Sequence, residues 1–398
     1  MSDGITNTEA LESTLAGTNS QPQSYLFLSR AADFWLIGGL SIAVWIPVYF
    51  LQTQFTLIKS VSLGLPALAF TLAYWVNYPH FMASYKLAYT QGNGFIQQNW
   101  FQLILVPVIL IAAMAIGFAY WNTDIRHTGF VHSVNGVFTA LGLNTRIGLY
   151  SNLGSEILGS LILLLYFTVG WHYAKQAFGC MMVYARLDNY RLSTLERNTI
   201  RYALLSTWWV SWLYSNCSVG SYNFYDLKVY RLGLPPQWFE ISYIVTSALF
   251  IGVAAILFRK YIRERQMPSW NFLIPMLALL IWQIPLFGNP QYFYVLALFH
   301  SLQYFPFVAK VEKTRYRNHQ RARPQLRLLL FFAVMMGVGY LSFDLIPNSL
   351  DHAANTKGVF QTSFFIIGFL AFINIHHYFI DNVLWRFKNK EVKQLLLD

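Results

Sequence analysis

Ten apolar stretches, each near the roughly 20 residues that a helix needs to cross a hydrocarbon core, constrain what this 398-residue chain can fold into. Their approximate limits are 34–51, 62–90, 101–121, 155–185, 199–215, 240–258, 271–287, 290–310, 327–346 and 358–385. In lipid each backbone N–H and C=O must be satisfied internally, and a lone apolar segment of this length does that as a helix. Composition excludes a soluble alternative, because 56% of residues are hydrophobic and only 11% are charged, against roughly a quarter charged in an ordinary globular domain. The expected fold is therefore all-α, a polytopic transmembrane bundle of about ten spans. No internal repeat and no second, soluble domain is visible.

A net charge of +11 could suggest a nucleic-acid partner. The cations, however, fall in short clusters between apolar runs rather than along one polar face, and no nucleic acid is expected. Arg186, Arg191, Arg197 and Arg201 follow the fourth span; Arg259, Lys260, Arg263 and Arg265 follow the sixth. Lys310 to Arg327 follows the eighth, and Arg386, Lys388, Lys390 and Lys393 follow the tenth. Every cluster lies after an even-numbered span, so the tendency of cytoplasmic loops to collect Lys and Arg places both termini in the cytoplasm. The expected organisation is a disordered cytoplasmic tail over 1–29, a transmembrane helical domain over 30–387 and a short basic cytoplasmic tail over 388–398. Residues 1–29 hold no basic start followed by an apolar stretch, so they do not read as a secretory signal. The expected setting is a multi-pass position in a membrane such as the bacterial inner membrane. Cys180 and Cys217 are too few for a disulfide framework.

The histidines carry the functional signal. His127, His132, His319 and His352 fall in loops, whereas His80, His172, His300, His376 and His377 lie inside apolar spans, where an ionisable group is expensive and marks function by default. The spans concerned are the second, fourth, eighth and tenth, which run in one direction. His172 precedes Arg186, His300 precedes Lys310 and His377 precedes Arg386 by distances of ~14 to 21 Å along a helix, so four helices bring imidazole to one level.

A single metal ion would satisfy one nitrogen of every ring, leaving the other to donate to a neighbour. The competing reading is helix-to-helix hydrogen bonding without a metal. Adjacent helical positions differ by about 100°, and His377 is preferred over His376 because Asp381, four residues on, shares its face. Asp381 is also the best outer partner for a ligating ring, with Asn77, Gln176, Gln303 and Tyr304 at similar helical spacings from the other histidines. Lys175 and Lys86 read as side chains snorkelling to the inner headgroups, and Trp208, Trp209, Trp212 and Tyr214 as an interfacial belt.

Without carboxylates beside His80, His172 and His300, a di-iron centre has no support, and an all-nitrogen set suits Fe(II), Cu or Zn. In a water-poor interior, Fe(II) implies an oxygenase whose partners are the lipid bilayer, O2 and an apolar small-molecule substrate, with Tyr304 lining the open side. Two other classes fit the same residues. A proton-coupled transporter would use the histidines with Lys175 and Asp381 as a relay, and an electron-transfer protein would hold haem between two histidines.

At its histidine blocks the chain resembles the Brp/Blh family of membrane enzymes. The resemblance is carried by Phe299-His300-Ser301-Leu302-Gln303-Tyr304-Phe305-Pro306-Phe307-Val308, by His377-Tyr378-Phe379-Ile380-Asp381, by Pro79-His80 and by His172. It implies cleavage of a carotenoid-like polyene by a dioxygenase with non-haem iron, ligated by His80, His172, His300 and His377. Where the family's third block has a second histidine, this chain has Tyr304.

Overall fold

The computed structural model describes residues 25–51, 74–150, 152–288, 293–319, 322–355, 363–386 and 389–397, with a few isolated positions between these segments. It is almost entirely helical. The principal helices are α1 (Arg30–Val48), α2 (Asn77–Tyr89), α3 (Phe101–Ala119), α4 (Leu153–Leu187), α5 (Thr194–Asn216), α6 (Pro236–Glu264), α7 (Trp270–Gly288), α8 (Phe293–Asn318), α9 (Pro324–Asn355), α10 (Phe364–Leu384) and α11 (Lys390–Leu397). Two shorter helices, Asn93–Gln98 and Gly129–Ala140, lie in connections. Between α5 and α6 an antiparallel hairpin pairs β1 (Ser221–Phe224) with β2 (Leu227–Tyr230), in the register Ser221 to Tyr230 and Phe224 to Leu227.

Among the described residues six helices, α1, α3, α4, α6, α9 and α10, are long and apolar enough to cross a membrane. On α6 and α9 the apolar residues point outward; Ile244, Ile251, Leu329 and Val334 are all exposed. A belt of that size has no stable place in water and supports an integral membrane protein. Several positions in the first half of the expected second span, the Asn289-Pro290 boundary and positions at the start of the tenth span lie outside the described residues.

The bundle is organised around α4. Its N-terminus is capped by Asn152, whose side chain accepts from the Ser155 amide at 2.8 Å. Its 35 residues extend ~50 Å, longer than a hydrocarbon core of ~30 Å. Helices α3, α5, α7 and α10 pack along it, and α2 packs on α8, α9 and α10. The large buried side chains Trp45, Tyr184, Phe272 and Trp282 fill the space between α1, α4 and α7.

Polar staples tie the ends of this bundle. Buried Asp33 accepts from the Leu26 amide at 2.6 Å, the Phe27 amide at 3.0 Å and the Tyr184 hydroxyl at 2.6 Å. This docks the chain just before α1 onto α4 and buries Leu26. Of the expected tail, 1–24 lies outside the described residues. Asp351 accepts from the Phe365 and Ile366 amides at 2.9 and 2.8 Å, capping α10 from another segment where its own N-terminal residue provides no side-chain cap. Within the expected basic tail, α11 packs on α8 and is fixed by the Arg315 to Glu391 ion pair at 2.8 Å.

Packing of the turn after α3 against the start of α4 depends on Gly154, where an added Cβ would stand 2.0 Å from the Trp121 ring. Gly154→Leu should cost ~1–3 kcal/mol, as overpacking does, read as a lower unfolding midpoint in detergent. Gly136→Ala, where an added Cβ meets open space, should leave the midpoint unchanged or raise it slightly.

Candidate metal centre

Four buried imidazoles, His80 on α2, His172 on α4, His300 on α8 and His377 on α10, meet in the interior with ligand nitrogens within 4.8 Å of one another. Their rings form a quadrilateral. Successive centroids, His80 to His300, His300 to His172, His172 to His377 and His377 to His80, are 5.0, 4.7, 5.0 and 4.5 Å apart, and the His80 to His172 diagonal is 6.5 Å. The Nε2 atoms point inward. His80 Nε2 lies 2.8 Å from His377 Nε2, and His172 Nε2 lies 2.9 Å from His300 Nε2. Imidazole nitrogens at about 2.0–2.1 Å from one first-row ion are ~3–4 Å apart, so four histidines in this arrangement could hold a metal ion.

Hydrogen bonding fixes one tautomer. The Ser301 hydroxyl donates to Asn77 Oδ1 at 2.7 Å, so toward His80 Nδ1, 3.0 Å away, its oxygen can only accept. His80 therefore carries its proton on Nδ1 and turns the Nε2 lone pair to the centre, as a ligand requires. His300 Nδ1 and His377 Nδ1 are buried without a partner among the described residues. Those two rings are held by packing: Tyr173 lies 4.3 Å from His300 and Phe81 lies 4.6 Å from His377, centroid to centroid.

Asp381 stands on the inward side of the rings. Its Oδ2 is 3.6 Å from His377 Nε2 and 3.9 Å from His172 Nε2. This corrects the expectation that it braces an outer nitrogen. Four residues along a helix, it shares the face of His377, and that face is the one turned to the centre. Its other oxygen accepts from Ser84 Oγ at 2.7 Å, and the Tyr304 hydroxyl oxygen stands farther off, at 3.3 Å. Because the Ser84 proton goes to Asp381, the 2.5 Å contact between Ser84 and Tyr304 is a bond from the phenol to the serine. Trp385 Nε1 donates in turn to the Tyr304 oxygen at 2.9 Å. The donors thus run in one direction, from indole to phenol to serine to carboxylate. A carboxylate facing converging nitrogen lone pairs repels them unless a cation lies between, so this donor set fits a positive ion.

The remaining candidates separate cleanly. His376 faces away, with Nδ1 3.0 Å from the Tyr85 hydroxyl and Nε2 3.4 Å from the Tyr89 hydroxyl. Tyr304 stacks on His80 at 4.3 Å with an interplanar angle of 6°. Asn77 reaches His80 only through Ser301. Gln176 donates to the His300 carbonyl at 2.9 Å and to Gln303 Oε1 at 3.1 Å, and Gln303 donates to the Ile37 carbonyl at 2.7 Å. Neither lysine behaves as a free snorkelling side chain. Lys86 pairs with buried Glu312 at 2.6 Å, and Lys175 bonds to Asn382 Oδ1 while its ammonium lies 4.4 Å over the Trp171 ring. Ser84, Ser301 and Trp385 are the site residues that the sequence alone does not single out.

The chain matches no family model, no curated protein and no solved structure. Its own geometry is what bears on function. A cavity of about 560 Å³ opens beside His172, Tyr304 and Asp381, and a second, of about 220 Å³ and walled mainly by apolar side chains, borders His80, Ser301 and Tyr304.

Ser301→Ala removes the acceptor that orients His80 and should weaken metal binding about 10- to 100-fold, the usual effect of losing an outer partner. A metal titration of the purified protein reads this directly, and an unchanged affinity would show that Ser301 does not orient a ligand.

Proposed function

We propose that this chain is a membrane-embedded non-haem iron oxygenase acting on an apolar substrate, a carotenoid-like polyene or a lipid, as its resemblance to the Brp/Blh family implies. In this reading ten helices cross the membrane, both termini lie on the side of the basic loops, and His80, His172, His300 and His377 hold one Fe(II). The observation that carries it is the convergence of four buried Nε2 atoms from four helices. The bonds that set the His80 tautomer and the absence of any carboxylate but Asp381 in the first cavity's wall agree with a nitrogen-rich site. Iron bound there supplies oxygen activation, which hydrocarbon substrates need and side chains cannot provide.

The chain's own groups do the rest. Four neutral imidazoles leave the ion's charge uncompensated, and the Asp381 carboxylate balances part of it. Ser84 donates to that carboxylate and Tyr304 donates to Ser84 behind it, which holds the carboxylate in place. Tyr304, stacked on His80, forms part of the wall of both cavities, so a substrate in either touches its ring. The apolar walls keep water from competing with the substrate and strengthen the electrostatics inside.

Full-length protein purified in mild detergent should carry about one iron per chain, and the wild type should consume O2 when a polyene is added. His300→Ala should lower retained metal at least tenfold, whereas His376→Ala, on the opposite face, should keep it. A wild-type preparation free of iron, zinc and copper that also takes up no added Fe(II) would overturn the proposal.

A further inference from the structure

The larger cavity is asymmetric in charge. Its wall contains four cations, Lys175, Arg201, Arg386 and Lys393, and one carboxylate, Asp381, which faces the histidines. Among the described residues no carboxylate pairs with any of the four cations; the ion pairs present use Arg30, Lys86, Arg126, Lys260 and Arg315. Arg201, Arg386 and Lys393 are exposed and could be ordinary rim charges. Lys175 is different, because it is half-buried and its ammonium lies over Trp171, one turn back toward the α4 N-terminus and away from the basic end. An interior ammonium held by one amide oxygen and a ring face lacks the counter-charge that makes such a position inexpensive.

The rest of the wall is apolar and long. On α4 the lining runs from Trp171 through Phe178 to Val183, ~18 Å along the helix axis, with Leu205, Phe307 and Leu396 supplied by neighbouring elements. The volume falls within the roughly 300–1,000 Å³ typical of small-molecule sites. From this juxtaposition of unpaired cations, an elongated apolar wall and the histidine centre we infer that the cavity receives an amphiphile with an anionic end group, a carboxylate or phosphate on a hydrocarbon or polyene chain. The end group sits between Lys175 and the rim cations, and the chain lies against the aromatic and aliphatic wall beside His172. This rests on the reading of the histidine centre as the reaction site and narrows its substrate class from apolar to amphipathic and anionic.

The probe is parinaric acid, a fluorescent polyene carboxylate, compared with its methyl ester on the full-length protein in phosphatidylcholine nanodiscs. The acid should bind at least tenfold more tightly than the ester. Lys175→Gln and Arg386→Gln should each weaken the acid at least fivefold and leave the ester unchanged, and Lys393→Gln, at an exposed position, gives the same comparison if an interior variant fails to fold. Equal binding of acid and ester, or variants that bind the acid like wild type, would overturn the inference. Adding phosphatidylglycerol to the discs identifies the source of the anion: displacement of the acid assigns the cations to a bilayer headgroup, and retention assigns them to a free acid, with the anionic requirement met in either case. Iron content measured on the same samples separates the two readings. Acid selectivity without metal retains this inference and removes the oxygenase, while metal without acid selectivity does the reverse.

Discussion

An imidazole placed in an apolar interior needs partners for its ring nitrogens, and the centre of this protein is built around that requirement. Helices α2, α4, α8 and α10 each bring one ring inward, and the nearest polar atom that each Nε2 meets is the Nε2 of another ring. Two donors facing each other repel, and so do two lone pairs, so pairs of this kind are satisfied only by an unequal sharing of protons or by a cation. Ser301 resolves the choice for His80 in favour of the lone pair. Burial of the cluster is therefore a demand for positive charge at its middle, and the packing of four helices around α4 keeps the demand in place.

Asp381 gives the centre its direction. With Ser84, Tyr304 and Trp385 arranged behind it as successive donors, its negative charge is stabilised on one side and presented to the nitrogens on the other. The same residues form the boundary with the larger cavity, so the groups that hold the carboxylate also touch whatever occupies that space. Farther along the cavity, the charge changes sign. The cations along its wall, Lys175, Arg201, Arg386 and Lys393, are a feature that an apolar molecule would not feel and an amphiphilic anion would.

Much of the helical frame and the four central histidines was legible in the sequence, for a physical reason. Helical length and the depth of a residue within an apolar run can both be counted from the sequence of a chain threaded through lipid. His377 was distinguishable from His376 because an i, i+4 carboxylate marks a face. What the sequence could not supply was the direction of that face: the same spacing that pairs Asp381 with His377 puts it in front of the ring rather than behind it. Ser84 and Ser301 were invisible because a small hydroxyl residue in an apolar span is common and acquires meaning only from its partner on another helix. Lys175 was misread for a related reason. Snorkelling assumes that the nearest polar environment is the headgroup layer, and an internal cavity with Asn382 and Trp171 provides a nearer one.

Tyr304 shows how closely these layers are joined. It is four residues after His300 on α8 and so lies on the same face, where a further imidazole would have competed for any ion held there and added a ring nitrogen to be satisfied. The phenol does neither. Its flat ring covers His80, fixing the plane of a neighbour on α2, while its hydroxyl extends past the histidines to Ser84 and receives the Trp385 indole N–H. One side chain thereby connects the orientation of a nitrogen donor, the hydrogen-bond chain to the Asp381 carboxylate and the walls of both cavities. A nonpolar aromatic could reproduce the first of these, and a small hydroxyl could reproduce part of the second, but only a phenol at this position links the centre to the space from which a substrate approaches.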